Sequence, residues 1–261
     1  MKKTLIEKIP YELPADILSV VSGYPIFDSS SSPEARVYYI ARGDGLYLKI
    51  SGAETLRAEA EMSEYFSSLG LGVAPIAYHS GERDYLLTPS LDGEDLTTER
   101  YLSEPERLAE LIGTELRRLH EIDPEACPRR DRLGEYIRTV EKNYHSGEYD
   151  KSEFPDSFGY RSAEEAYAVF SEGRSFLQRD TLIHGDYCLP NILLRDWRLS
   201  GFIDLGAGGI ADRHIDLFWG AWTLGFNLGT DKYRERFFDA YGRDRVDTEL
   251  LRVVAAAEVF G

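Results

Sequence analysis

The sequence predicts an α+β fold in which a small β-rich N-terminal lobe precedes a larger, mainly helical C-terminal lobe. Apolar runs separated by turn residues crowd into residues 36–51 and 76–88, which is the pattern of short strands. Later in the chain the apolar residues recur at helical spacing. Residues 89–93, Pro-Ser-Leu-Asp-Gly, interrupt both patterns, so we predict a lobe of residues 1–91 and a lobe of residues 92–261.

The N-terminal lobe begins with residues 1–23, which we interpret as a short helix and a turn. A Gly-Asp-Gly turn at 43–45 then joins two apolar runs and predicts a β-hairpin with strands near 36–41 and 45–51. Lys49 lies on the second strand among apolar neighbours, where a charge needs a partner. A solvated lysine on an edge strand is the alternative interpretation.

Two further features of this lobe suit a bound nucleotide. The small residues of Ser30–Ser32 could offer backbone N–H groups to phosphates, although a simple loop tip explains them equally well. A helix predicted over 54–69 carries Glu59 and Glu61 on different faces, so only one of them can meet a lysine on the sheet. We favour Glu59.

The break after the second pair of strands, predicted at 76–79 and 85–88, is the natural hinge between the lobes. There the backbone of Ser90 and Leu91 could meet the edge of an adenine ring. Tyr47 could stack on that ring, although a core aromatic is the alternative.

The C-terminal lobe is predicted to be mainly helical, with an irregular acidic stretch over 144–160 that could contact a cationic ligand. Glu153 and Asp156 are the acidic residues of that stretch that we select, and a solvated loop is the alternative. The predicted helices cover 104–121, 131–143, 162–177, 212–226, 230–241 and 247–260.

The segment His184–Leu205 reads as strand, polar loop, strand, tight turn and strand. Three oxygen-bearing side chains, Asp186, Asn191 and Asp204, fall at strand ends and could converge on one point. Phosphoryl transfer from ATP needs such a set, because one carboxylate orients the acceptor hydroxyl while an amide and a second carboxylate hold Mg²⁺. The alternative is a hairpin whose polar residues only cap strands. Asp216, at the start of the next helix, is interpreted as a cap or as an anchor of this loop.

Charge and cysteine content exclude several classes of function. The net charge of −16 disfavours nucleic-acid binding, since phosphates attract basic surfaces, and it can attract cationic ligands. No apolar run is long enough to span a membrane and the start is not a signal peptide, which predicts a cytoplasmic protein. The two cysteines, Cys127 and Cys188, do not make a disulfide framework.

Together these motifs resemble the aminoglycoside 3'-phosphotransferase family, among the protein-kinase-like antibiotic kinases. The resemblance covers nearly the whole chain, and its most specific parts are H-G-D-Y-C-L-P-N at 184–191 and G-F-I-D-L-G at 201–206. It implies a bilobal protein-kinase-like fold and transfer of the γ-phosphate of ATP to a hydroxyl, the 3'-hydroxyl, of an aminoglycoside. Such a transfer inactivates the antibiotic.

The resemblance also implies roles for single residues. Asp186 would be the catalytic carboxylate, Asn191 and Asp204 would hold magnesium, and Lys49 would pair with Glu59 and the nucleotide phosphates. The remaining implied ligands are Ser32 over the phosphates, Tyr47 on the adenine, and Glu258 on substrate ammonium groups.

Two positions depart from the family pattern: Ala207 stands where an arginine is common, and Gly261 extends past the terminal Phe. Both put the substrate range in doubt. The alternatives left open are a kinase of a macrolide, choline, homoserine or a sugar, a non-catalytic nucleotide-binding protein of the same fold, and GTP in place of ATP. The expected assembly is a monomer or a weak dimer without nucleic acid or membrane partners.

Overall fold

The computed structural model describes residues 3–31, 35–149 and 158–261. The strands are β1 (Thr4–Ile6), β2 (Ile26–Asp28), β3 (Arg36–Ile40), β4 (Leu46–Gly52), β5 (Ala77–His79), β6 (Arg83–Pro89), β7 (Glu94–Asp95), β8 (Thr181–Ile183), β9 (Ile192–Arg195), β10 (Arg198–Phe202) and β11 (Gly209–Ala211). The α-helices are α1 (Ala15–Val21), α2 (Arg57–Ser68), α3 (Glu99–Leu102), α4 (Pro105–His120), α5 (Arg132–Ser146), α6 (Ala163–Gly173), α7 (His214–Leu228), α8 (Arg234–Tyr241) and α9 (Thr248–Glu258). Among the described residues, none of these helices has the length and apolar character needed to cross a membrane.

The chain divides into two units, and neither is continuous in sequence. The first contains Met1–Asp95 and Ile192–Gly206, and the second contains Leu96–Asn191 and Ala207–Gly261. Strands β9 and β10 therefore belong to the first unit. The predicted division of the chain at residue 91 assigns them to the other lobe. The assignment of nucleotide binding to residues 1–91 and of catalysis to residues 92–261 stays a prediction.

The first unit is built on a six-stranded antiparallel sheet in the order β1-β2-β3-β4-β6-β5. The predicted hairpin is present, since β3 pairs with β4. Leu48 and Ile50 of β4 are buried in the core of this unit, whereas Tyr47 and Lys49 are only partly buried. Because side chains alternate along a strand, Tyr47 and Lys49 share the face opposite that core.

Helix α2 of the first unit is fixed at both ends. The carboxylate of Asp84 accepts hydrogen bonds from the backbone N–H groups of Glu54 and Leu56, just before the helix. Gly70, at φ +72°, ends it in the left-handed region that favours glycine. Glu59 consequently lies in the first turn of α2.

The second unit is mainly helical. Its core is formed by buried residues of α5, α6, α7 and α9, such as Val140, Phe170, Ile215 and Val254. The carboxylate of Asp247 caps α9 by accepting bonds from two backbone N–H groups of its first turn. Strands β8 and β11 pair antiparallel, and β8 leads directly into the segment that contains Asp186.

Candidate active site

Lys49 is the centre of an ion-pair cluster in the first unit. Its Nζ lies 2.7 Å from Oε2 of Glu59 and 2.6 Å from Oδ1 of Asp204. The Glu59 side chain is 12% exposed, whereas that of Asp204 is 49% exposed. The pairing of Lys49 with Glu59 rather than Glu61 is thus present in the structure, and a role in phosphate binding stays a prediction.

The electrostatics of this cluster favour a bound cation. Burial alone would lower the pKa of Lys49, but the carboxylates of Glu59 and Asp204 outweigh it and raise that pKa. Burial also raises the pKa of Glu59, against the influence of Lys49. Two carboxylates that share one ammonium leave an excess of negative charge when both are ionised, and a further cation would balance it.

Asp204 adopts a conformation that is unusual for a residue with a side chain. Its φ is +59°, in the left-handed region, which costs roughly 1 kcal/mol or more for a non-glycine residue. Its Oδ1 is engaged by Lys49, and the half-exposed carboxylate leaves Oδ2 as a donor atom for a ligand. Backbone strain of this kind clusters at ligand-binding positions.

Three of the four other predicted nucleotide contacts lie within the described residues. The Tyr47 ring lies 5.3 Å from that of Tyr39, and burial raises its pKa. The Ser90 N–H donates to the carbonyl of Gly45, so this amide is already engaged. Leu91 lies close to β10 at Gly201. Ser32 lies outside the described residues, and the roles of all four stay predictions.

Asp186 and Asn191 contact each other in the second unit. The Asn191 Nδ2 donates to Oδ2 of Asp186 at 2.7 Å and to the backbone carbonyl of the same residue at 3.1 Å. A 3₁₀ turn over Leu189–Asn191 brings the amide back toward the carboxylate. Since these bonds occupy the amide nitrogen, the amide oxygen of Asn191 is the atom left for a ligand.

A buried carboxylate holds the backbone of this loop. Asp216 accepts hydrogen bonds of 2.7 Å from the N–H groups of both His184 and Gly185. Its Oδ2 also lies 3.1 Å from Nε2 of His120, whose Nδ1 lies 2.9 Å from the Tyr241 hydroxyl. Of the two interpretations open from sequence, the structure therefore places Asp216 as the anchor of the loop.

Gly185 is the position in the loop where the backbone leaves no room for a side chain. A substitution there tests the geometry of the loop directly. Its φ is +86°, and a Cβ there would lie 2.0 Å from the carbonyl oxygen of Ala207. We expect Gly185→Ala to lower the free energy of unfolding by about 3 kcal/mol or more, as measured by urea denaturation.

Gly159 is a matched control for this substitution. It has the same φ of +86°, but a Cβ there would meet no atom of the described residues within 4 Å. Gly159→Ala should therefore show only the backbone cost, about 1 kcal/mol. Equal losses in the two variants would show that the contact with Ala207 does not constrain the loop.

Cys188 lies within the loop, in surroundings that disfavour a nucleophilic role. Burial and the neighbouring carboxylate of Asp186 strongly raise the pKa of its thiol. The reactive species of cysteine is the thiolate. The thiol therefore stays protonated at neutral pH.

Glu258, at the end of α9, lies in a polar cluster of the second unit. The Tyr136 hydroxyl donates to its Oε1 at 2.7 Å, and the Trp219 side chain lies beside the same carboxylate and lowers its pKa. Burial raises the pKa of Glu258 to about 7, with Asp186 adding to the rise and Arg132 opposing it. Predicted substrate ligands Glu153 and Asp156 lie outside the described residues.

The raised pKa predicts a pH-dependent contribution of Glu258 to stability. A carboxyl group that binds its proton more tightly in the folded chain favours folding most below its unfolded pKa of about 4.5, and this contribution is lost as the pH rises through about 7. The free energy of unfolding of the native protein, relative to that of Glu258→Gln, should therefore fall over this range. Glu249→Gln, an exposed site on the same helix, should show no such change, and parallel profiles for Glu258→Gln and the native protein would contradict the assignment.

Two arginines that the sequence analysis did not select hold the segment after Asp204. Arg132 donates to the carbonyl of Ala207 at 2.7 Å, and Arg129 donates to that of Gly208 at 2.8 Å. The available signal was the basic run at 129–132 in an acidic chain. These contacts come from outside the segment, so they secure the loop although no arginine stands at position 207.

The described residues contain no cluster of three or more His, Cys, Asp or Glu side chains that could hold a metal ion by itself. Asn191 and Asp204 each retain an oxygen that is not committed to the hydrogen bonds above. Such hard oxygen donors suit Mg²⁺, which usually takes one or two protein ligands and completes its shell with water and substrate phosphates. Each of these two residues, taken by itself, therefore offers a donor atom that suits a magnesium ion arriving with a nucleotide.

Comparison with known proteins identifies related chains along almost the whole length. The model of a phosphotransferase enzyme family matches residues 30–252. A probable aminoglycoside 3'-phosphotransferase from Lactococcus lactis is 48% identical, over 98% of this chain and 96% of its own.

Solved structures show the same fold. A type VIII aminoglycoside 3'-phosphotransferase superimposes with a TM-score of 0.77 at 24% identity, over 89% of this chain and 92% of that one. An aminoglycoside phosphotransferase from Streptomyces rimosus, solved with ADP and streptomycin, gives 0.70 at 26% identity, over 87% and 91%. These likenesses confirm the predicted α+β, protein-kinase-like fold.

Proposed function

The chain belongs to the phosphotransferase enzyme family, among the aminoglycoside 3'-phosphotransferases, and on that premise we propose that it moves the γ-phosphate of ATP to the 3'-hydroxyl of an aminoglycoside. Such a reaction would protect its host from the antibiotic. The observation that carries the proposal is the Lys49 ammonium held between Glu59 and Asp204.

The proposed nucleotide site is formed by the first unit. Lys49 binds phosphate oxygens of the nucleotide. Glu59 keeps the Lys49 ammonium group charged and oriented toward them. ADP is bound in the related Streptomyces rimosus enzyme, which supports an adenine nucleotide here. Tyr47 provides a ring for the adenine, the carbonyl of Ser90 and the backbone of Leu91 serve its edge, and Ser32 falls in the loop assigned to the phosphates.

Asn191 and Asp204 are the residues that would hold magnesium. The chemistry that Mg²⁺ would supply there, when bound, is neutralisation of charge on the phosphates. The donation from Asn191 to Asp186 orients the Asn191 amide so that its oxygen is the free donor. Lys49 fixes one oxygen of Asp204 and leaves the other available.

Asp186 is proposed as the catalytic residue. Its carboxylate accepts a hydrogen bond from the acceptor hydroxyl, orients the attacking oxygen in line with the γ-phosphate and receives the proton as transfer completes. Asn191 and the Asp216 anchor hold this carboxylate and the backbone beneath it. Most of the catalysis then comes from positioning, since phosphoryl transfer needs little covalent participation by the protein.

The acceptor is proposed to be cationic. The chain has 46 acidic against 30 basic residues, and a negative field attracts a polyamine sugar. Glu258 lies near Asp186 in the second unit, since the Asp186 carboxylate adds to the rise in the pKa of Glu258. Glu153 and Asp156 are assigned to the same task from the sequence alone.

An acceptor panel tests this function. Kanamycin, neomycin, streptomycin, a macrolide, choline and homoserine are each supplied with Mg-ATP, and ADP release is followed by a coupled assay, with GTP as a second donor. We expect turnover with kanamycin or neomycin and none with the macrolide, which is a large apolar ring with far fewer ammonium groups. Turnover confined to choline, homoserine or the macrolide would contradict the aminoglycoside assignment. Stabilisation by Mg-ATP without any transfer would instead support a non-catalytic nucleotide-binding protein.

A further inference from the structure

Four aromatic side chains of α7, which we call the aromatic row, lie in contact along one side of the helix: Phe218, Trp219, Trp222 and Phe226. Successive ring centroids are 5.4, 5.4 and 5.0 Å apart. Trp222 is 38% exposed and Phe226 is 71% exposed, and their rings are stacked at 13°. A contiguous exposed aromatic patch of this kind marks a binding surface more often than a lone exposed apolar residue does.

The aromatic row is physically joined to the proposed active site within the second unit. Trp219, inside the row, lies beside the carboxylate of Glu258 and lowers its pKa. On other sides of the same helix, Asp216 and Thr223 accept hydrogen bonds from the backbone of the loop that carries Asp186. One helix therefore positions the catalytic loop and presents the aromatic row, which extends about 10 Å from Trp219 to Phe226.

Negative groups lie at both ends of the aromatic row. Glu258 stands beside Trp219 at one end. At the other end, Oδ1 of Asp231 lies 2.6 Å from the position that a Cβ of Gly225 would occupy, on the turn that contains Trp222 and Phe226. The C-terminus of α7, which ends at Gly229 in the left-handed conformation, adds the negative end of the helix dipole. A ligand that covers the row is therefore expected to carry positive charge along its length.

We propose that the aromatic row is the surface on which the amino-sugar rings of the substrate lie while one hydroxyl is held at Asp186. This inference rests on the proposed function and adds the residues that determine its substrate range. Ammonium groups of an amino sugar are attracted to the face of an indole, and the apolar faces of its rings pack on aromatic side chains. An apolar protein partner would bring no positive charge to Glu258 and Asp231, so the small polycation is the better match.

The inference is tested by kinetics with kanamycin and Mg-ATP. Trp222→Ala should raise KM for kanamycin about tenfold, and Phe226→Ala should raise it severalfold, because each removes a face that binds a cation. The kcat and the KM for ATP should not change, since the interaction is made equally in the ground state and the transition state. Trp222→Tyr keeps an aromatic face and should restore most of the affinity.

Phe176→Ala is the matched control, since Phe176 is an exposed aromatic residue, at 66%, of the same unit but outside the row. It should leave KM for kanamycin unchanged. If the native protein phosphorylates kanamycin while Trp222→Ala keeps the native KM, the aromatic row is excluded and the proposed function stands. If the native protein phosphorylates no aminoglycoside, the proposed function fails and this inference fails with it.

Discussion

Asp186→Ala should lower kcat for kanamycin phosphorylation by about 10²-fold or more, the range expected for a positioned acid–base group. Without the carboxylate, the acceptor hydroxyl loses the group that orients it and receives its proton. The KM for ATP should change little, because Lys49, Glu59 and Asp204 stay in place. Steady-state kinetics by coupled ADP release, with both substrates varied, measures these quantities.

Cys188→Ala is the control for this variant. Cys188 belongs to the same loop, and its protonated thiol has no part in the proposed chemistry. It should therefore keep kcat close to the native value. Native kcat in Asp186→Ala, or a loss in Cys188→Ala as large as that in Asp186→Ala, would remove Asp186 from the catalytic role.

The second large effect is expected for Asp216→Asn. Asp216 accepts bonds from two N–H groups through two oxygens, whereas asparagine offers one oxygen and turns an NH₂ group toward the other donor. One buried N–H is then left without a partner, and we expect the free energy of unfolding to fall by about 3 kcal/mol. The loop should also shift, so kcat should fall by about 10²-fold.

Two readouts separate positioning from simple destabilisation. At a temperature where Asp216→Asn is fully folded, kcat should still be low while KM for ATP is native. Asp239→Asn, whose side chain is 66% exposed, should change neither stability nor kcat. An Asp216→Asn enzyme that regains native kcat once folded would contradict the proposed anchoring of the loop.

Much of the fold was predictable because local patterns agreed with tertiary packing. The Gly-Asp-Gly turn and the alternation along β4 predicted the hairpin that carries Lys49, and the structure contains it. The N-terminal lead-in was predicted less well. Besides the helix α1, it contains strand β1, which exists through its pairing with β2. Leu5 of that strand is 65% exposed, so no burial pattern marked it.

The candidate site was predictable where chemistry is concentrated in short motifs and not where partners are distant in sequence. Lys49 and Asp204 are 155 residues apart, and only the fold brings them to 2.6 Å. The side chain of Arg132 contacts the carbonyl of Ala207, and those of Tyr136 and Trp219 lie against the carboxylate of Glu258. Because each of these partners is far away in sequence, no local motif marks the three residues. The cytoplasmic location and the monomeric or weakly dimeric state stay predictions.

Transfer of phosphate from ATP to a hydroxyl of an aminoglycoside is the reaction on which the proposed roles of these residues depend. The most direct measurement is NMR of the product formed from kanamycin and Mg-ATP by the native protein, with the Asp186→Ala variant in parallel. We predict a phosphomonoester at the 3'-hydroxyl with the native protein and, over the same period, a far smaller amount with the variant. Unmodified kanamycin after complete incubation with the native protein, or equal product from both proteins, would contradict this account.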